Sequence, residues 1–417
     1  MTDPSLDTKK PPEEHLDFFG QPIAVHVPPE LIRRIDVFDN DDVSHDPFMV
    51  VRQLRDEPPV IYNSYNALKG QSWIVTRAED IRHVLGSTKL FNSSEQAGFA
   101  SIIGETWRQI PIELDGAEHI KYRRLIAPWF SLPEVARLSG QVERRAIELI
   151  DRILDQGHCE FVSSFGTPFP VSIFMDLFGL PDSHTAAFLK WVDQIFHSET
   201  MEGRAAGTRA AIDYLRDMLR ERRISPSDDI ASAIANAKID DVPISEDDAI
   251  GLCFTVWTGG LDTVASSLGF YFRHLAENPD IQARLRAHPE EIPNAVEEYL
   301  RHFAPAWVHR RTLEDTEIAG VRIKRGDWVT IFYALANFDP REHEDPDAFD
   351  YERANRRHFT LAFGPHFCAG ANLARRELQI AIEQWLKRVP PFRVAEGDAV
   401  RTHGGMVFGV NRLNLCW

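Results

Sequence analysis

Cysteine is scarce in this chain: four in 417 residues, at positions 159, 253, 368 and 416. They are too few and too scattered for a disulfide framework. None sits in a Cys-x-x-Cys pair of the kind that holds structural zinc. The same scarcity leaves no cysteine cluster for an iron–sulfur centre, and no flavin-type or P-loop fingerprint is present. Basic residues are in deficit as well, with Lys+Arg 46 against Asp+Glu 63, a net charge of −17. That balance argues against nucleic acid or an anionic membrane as partner, because phosphate binding rewards Lys and Arg. The opening segment MTDPSLDTKKPPEEHLDFFG lacks the apolar core of a secretion signal. A cytoplasmic monomer is expected.

What is present is ordinary globular material, 43% hydrophobic and 26% charged. The length alone suggests about three average domains. Yet no Gly/Ser linker divides the chain and no internal repeat is apparent, so residues 31–417 read as one large domain behind a flexible arm, 1–30. The residue pattern is mainly α with a minor β region. Apolar residues at three-to-four spacing mark helices over 134–156 and 369–388, and RTLEDTEIAGVRIKRGDWVTIFYA alternates like a small antiparallel sheet. Residues 249–272 (AIGLCFTVWTGGLDTVASSLGFYF) are long enough to span a bilayer. Asp262 at their centre argues instead for a helix through the core of a large protein.

Cys368 stands in FGPHFCAGANLARREL, just before a helix. A helix N-terminus lowers a thiol pKa through its dipole and free N–H groups. Such a thiolate is a nucleophile or an axial metal ligand, and the plain alternative is a buried, inert cysteine. Gly370 would let the backbone pass close to something flat. Gly259 and Gly260 each cost about 1 kcal/mol in a helix interior, which a flat ligand against the backbone or a local opening explains, as does a simple kink. Asp262 and Thr263 would set a proton source and a hydroxyl beside that point. Glu298 and Arg301, three apart, share a helix face, as surface pairs often do. His119 and Arg123, one turn apart, could clamp a carboxylate or phosphate, or simply face solvent.

Taken in order, GGLDTV at 259–264, EYLR at 298–301, FDYER at 349–353, HFCAG at 366–370 with ARRE after it, and MVFGV near the end are jointly specific. From about residue 30 onward the chain resembles a cytochrome P-450, a haem-thiolate monooxygenase, and within that superfamily the bacterial camphor hydroxylases. The resemblance implies the cytochrome P-450 fold, with haem b between the long central helix and the Cys loop and last long helix. It implies Cys368 as the iron ligand, whose electron donation favours O–O cleavage, and Asp262 and Thr263 as the acid–alcohol pair that delivers protons to dioxygen. His119, Arg123, Arg310 and His366 match positions that bond the haem propionates, and Glu298, Arg301 and Arg353 match a buried network under the proximal side. By similarity the substrate pocket is lined by Phe99, Trp107, Thr255, Thr258, Gly259, Ala306, Met406 and Val407.

Two departures stand out. The family loop reads Phe-x-x-Gly-x-His-x-Cys-x-Gly, and here Phe363 to Cys368 is two residues shorter. Haem binding is expected to persist, with altered potential or slower electron delivery. Trp107 falls where the camphor hydroxylases carry a tyrosine, and Val308 replaces an acidic residue near a propionate. The expected reaction is hydroxylation of a small apolar terpenoid or norisoprenoid with O2 and two electrons. The resemblance implies a separate [2Fe–2S] ferredoxin, served by a flavin reductase, docking on a patch that includes Lys121, Arg123, Arg124, Arg375 and Arg376. The alternatives are a haem-binding sensor, a peroxide-driven oxygenase and, last, a cysteine hydrolase.

Overall fold

Short β-branched and aromatic runs near both ends of the chain meet in one sheet. The computed structural model describes residues 16–417 apart from 18, 19, 39, 40, 67, 68, 97, 199 and 398. Strands β1 (Ile32–Arg33), β2 (Val60–Asn66), β3 (Gly70–Val75), β4 (Phe91–Asn92), β5 (Trp307–Thr312) and β6 (Trp328–Phe332) form a six-stranded sheet in the order β1-β2-β3-β6-β5-β4. β6 runs antiparallel to β5, as the alternating sequence suggests, but parallel to β3 on its other side. The expected small late sheet is therefore larger and mixed. Trp73, Ile74 and Val75 of β3 are all buried, the continuous apolar run of a strand covered on both faces.

The bulk of the chain is helical. The central helix, Glu246–Glu277, runs unbroken for 32 residues. Ser245 caps it by accepting from the Asp248 N–H, and Glu246, Asp247 and Asp248 in its first turn complement the positive end of its dipole. It packs against helices Pro168–Leu177 and Met201–Ile224 and against strand Gly409–Arg412, which explains why it is apolar nearly all round. Among the described residues no helix is long and apolar enough to cross a membrane.

One glycine in this helix is required by a close approach. A Cβ on Gly251 would lie 1.9 Å from the carbonyl oxygen of Arg108, so the segment carrying Trp107 can rest directly on the helix. The proximal helix, Ala371–Arg388, buries Leu378, Ile382 and Trp385 and packs against helix Leu132–Asp151. Buried apolar residues from Ile23 to Leu415 form one continuous core. Residues 1–15 of the expected arm lie outside the described residues. Its remainder is tied down rather than loose: Ile23 and Val27 are buried, and Gln71 Nε2 donates to Asp17 at 2.8 Å.

Candidate functional site

The Cys368 loop is held from three sides. The Cys368 N–H donates to the Leu361 carbonyl at 2.8 Å, and a 3-10 turn over Gly364–His366 brings the Phe367 N–H onto the Gly364 carbonyl at 3.1 Å. Arg123 Nη2 donates to the Phe367 carbonyl at 2.6 Å. Ala362 and Gly364 both take positive φ, and a Cβ on Gly364 would meet the Leu85 carbonyl oxygen at 3.1 Å. Counted back from Cys368, Gly364 and His366 keep the family spacing and Leu361 stands at the phenylalanine position, so the expected two-residue shortening is corrected: the loop has full length and closes by a tight left-handed turn against helix Ala78–Gly86. At the sulfur, burial pushes the thiol pKa up, while the Gly370 N–H, Arg123 and Arg375 favour the thiolate. Burial wins, so the lowered pKa expected from the helix N-terminus alone is corrected. A thiolate at this place gains what it lacks from a coordinated cation.

Across from the loop, the double glycine does not break the central helix. A Cβ on Gly259, on Gly260 or on Gly370 would meet nothing, so the backbone at all three leaves room for a flat group. Thr263 Oγ1 donates to the Gly259 carbonyl at 3.0 Å. Asp262 is buried, and its carboxylate lies 3.3 Å from His197 Nε2. His197 escaped the sequence reading because no periodicity links it to Asp262.

The four basic positions differ in their partners. Arg310 is fully buried, with Nη1 donating to Gln96 and to the His309 carbonyl while its Nε has no partner. His119 is buried with Nε2 unpartnered, and burial together with His366 and Arg123 lowers its pKa to about 4. His366 Nε2 is occupied, at 2.9 Å from Asp115 and 3.1 Å from Ser93. Arg123 braces the Cys loop as described. Asp115 was missed, although it carries a signal: it stands at the N-cap of helix Gly116–Ile126. Its side chain does not cap that helix and instead receives the Ser93 N–H and His366.

The residues read as a substrate pocket fall into two groups. Phe99 and Trp107 both meet Phe254 edge-on, at 5.5 and 5.0 Å between ring centres, and Phe99 reaches Phe196 at 6.1 Å. Thr258 joins this group through Gln109 Nε2 at 3.3 Å, while Thr255 bonds back to the Gly251 carbonyl. Trp107 Nε1 is buried without a partner. In the second group Ala306 pairs with Val407 in an isolated antiparallel bridge, next to Met406.

Under the proximal side, Arg301 holds Glu298 bidentately at 2.7 and 2.8 Å and donates to the carbonyls of Asn337, Pro346 and Ala348. Arg353 lies 3.6 Å from the same carboxylate. Of the basic patch, Lys121 is paired with Asp240, Arg375 with Glu297, and Arg376 Nε with Ser139. Its free positive charge is smaller than the sequence suggests.

Comparison with known proteins places this geometry. Residues 36–402 match the family model described as cytochrome P450. Over 403 residues the chain is 37% identical to probable cytochrome P450 127A1 of Sinorhizobium fredii, covering 95% of this chain and 97% of that protein. The crystal structure of cytochrome P450 CYP101C1 superposes with a TM-score of 0.87 at 31% identity, covering 95% of this chain and 99% of that one. That of CYP101J2 superposes with a TM-score of 0.85 at 28% identity, over the same shares.

Haem b is the cofactor of this family, and the residues fit it. A half-buried thiol offers a ligand, glycine backbone leaves space for a flat ring, and His119 Nε2 and Arg310 Nε are buried nitrogens without partners. His119, Arg310 and His366 share one acidic neighbour, Asp115, so two propionates would supply the negative charge the cluster lacks. A mainly helical fold with a minor sheet, a thiol before the proximal helix and these relatives establish the conclusion: the chain belongs to the cytochrome P450 family of haem-thiolate monooxygenases.

Proposed function

We propose that the chain hydroxylates a small apolar substrate of terpenoid or norisoprenoid class, with Cys368 as iron ligand and Asp262 and Thr263 moving protons. Haem, when bound, activates dioxygen for insertion of one atom into a C–H bond. The protein's part is to seat the ring, shed water and shape the pocket. The observation that carries the substrate class is the aromatic wall built on Phe254 of the central helix, in which Phe196, Phe99, Phe254 and Trp107 follow one another through three edge contacts. Edge contacts of this kind keep a pocket rigid and apolar. The unpartnered Trp107 Nε1 is a donor that suits a ketone, ether or hydroxyl oxygen on the substrate. His119 and Arg310 would hold the propionates, while the Nε2 of His366 is already engaged by Asp115 and Ser93.

Electrons would come from a [2Fe–2S] ferredoxin served by a flavin reductase. Half-exposed Phe363 and Phe367 flank a cleft of about 490 Å³ lined also by Arg356 and Arg357, by Arg82 paired with Glu342 and by Arg375 paired with Glu297. Apolar rings within an arginine rim suit an acidic partner, with salt-sensitive association. A panel of terpenoids and fatty acids, scored by the low-to-high-spin shift, tests the substrate class. A preference for long fatty acids overturns it. Electron-transfer rates indifferent to ionic strength would remove the docking surface from the reading.

A further inference from the structure

Among the described residues the ionic partner of Asp262 is an imidazole. His197 closes the π-turn Asp193–His197 that follows helix Thr185–Val192. Its Nε2 lies 3.3 Å from Asp262 Oδ1, and its Nδ1 lies 3.6 Å from Asp193 Oδ1, one turn back on the same element. The Asp193 side chain is 78% exposed and that of Asp262 only 5%, with His197 at 35% between them. Carboxylate, imidazole and carboxylate thus form a row from solvent to the residue beside Thr263. A permanently charged arginine could only neutralise Asp262. An imidazole can also give up a proton and take another near neutral pH.

We propose that His197 is the proton donor to Asp262, oriented by Asp193, and that its charge sets the pH dependence of turnover. The proposal rests on the reading of Asp262 and Thr263 as the proton-delivering pair. In the step, protonated His197 releases its Nε2 proton to Oδ1 of Asp262, and the imidazole is left neutral with its remaining hydrogen on Nδ1, facing Asp193. Water reaching the half-exposed ring restores the lost proton. One proton moves inward per step and no electron moves. His197 is a positioning residue in this scheme, acting through Asp262.

The titratable groups facing His197 are Asp262 from the central helix, Asp193 from its own turn, and His403 from strand Arg401–His403, whose ring lies 5.2 Å away. Burial disfavours charge on His197, but Asp262 and Asp193 outweigh it, and its pKa is raised above the ordinary histidine range. His403 is lowered, first by burial, and its Nδ1 is engaged at the Gly404 carbonyl. Of the two imidazoles His197 is the one that holds the proton. A donor with a raised pKa works below that value, so turnover falls as pH rises through it.

Two measurements on the full-length holoenzyme test this. In the diamagnetic ferrous carbon-monoxide form, NMR titration of His197 is expected to give a pKa above the ordinary histidine value. In D193N and in D262N that pKa is expected to fall by about one unit. An unshifted titration in D262N overturns the proposal without reference to turnover. The second measurement is product formed per electron pair, followed against pH and in D2O. H197Q is expected to lose about tenfold and to lose the alkaline limb, with the spectrum and substrate affinity of the wild type retained. H197K keeps a positive charge beside Asp262 but holds its proton through neutral pH, so the relay predicts the about tenfold loss of H197Q, and wild-type coupling in H197K would reduce His197 to mere charge pairing and overturn the relay. Wild-type coupling and isotope effect in H197Q overturn the relay. If D262N is also indifferent, the fault lies with the reading of Asp262 itself.

Discussion

Arg301 and Glu298 face each other through two parallel hydrogen bonds of 2.7 and 2.8 Å, and neither side chain is exposed at all. The carboxylate also accepts the Asp350 N–H at 2.9 Å, so the pair ties helix Ile292–His302 to the FDYER segment. Removing one partner strands the other charge in a dry interior, at a cost of about 3–5 kcal/mol. Glu298→Gln should lower the urea midpoint accordingly and reduce haem retention on dilution. A midpoint within experimental error of the wild type would show that the network is ornamental.

Glu297, next along the same helix, sits in a half-open ion cluster. Arg375 grips it at 2.6 and 3.0 Å, and His358 Nε2 is 3.3 Å away. Burial opposes its charge, but His358 and Arg375 prevail and hold the carboxyl at about 2, against 4.5 when unfolded. A depressed pKa contributes stability above the unfolded value, and this contribution is lost as pH falls from 4.5 towards 2. Glu297→Gln should therefore lose on the order of 2–3 kcal/mol at neutral pH and flatten the acid limb of the stability curve. Denaturant midpoints between pH 7 and pH 2 provide the check.

The opposite sign holds for Glu377 in the proximal helix. It is buried with one oxygen unpartnered, and burial raises its pKa to about 8. The native state keeps a proton that the unfolded state releases near 4.5, so stability falls as pH rises from 4.5 to 8. Glu377→Gln keeps the shape and removes the titration. It should be stabilised by a few kcal/mol at pH 8, roughly, and unchanged at pH 4. Equal destabilisation at both values would mean that shape, not charge, decides.

Trp107→Phe keeps the edge contact with Phe254 and deletes the indole N–H. Oxygenated terpenoids should bind it more weakly by about 1 kcal/mol, roughly fivefold in Kd, while hydrocarbons bind unchanged. Spin-state titration of matched ketone and hydrocarbon ligands distinguishes the two. Equal losses for both would assign Trp107 to packing alone.

The central helix, the helix of Glu298 and the cysteine before the proximal helix are legible in the sequence, because each lies in a local pattern of its own. What escaped the reading depends on distant partners. β6 bonds to β3 in parallel register, a pairing no local alternation encodes. His197 reaches Asp262 only through the packing of its turn on the central helix. The thiol of Cys368 shows the limit of a local argument: the helix terminus favours the thiolate, yet burial by neighbours from elsewhere in the chain dominates. Lys121 and Arg375 look like free charges until Asp240 and Glu297 fold against them.

The sheet carries a consequence for biosynthesis. Ser72 and Thr330, on adjoining strands, share a hydrogen bond across 258 residues of chain. A ribosome delivers β3 early and β6 late, so the edge of β3 that β6 will cover waits through most of translation with its N–H and C=O groups unpaired. Long-range pairings of this kind are slow to form and leave sticky edges in the meantime. The nascent chain is thus most exposed to aggregation before residue 328 emerges, and chaperone supply during expression should govern yield more than the stability of the finished fold.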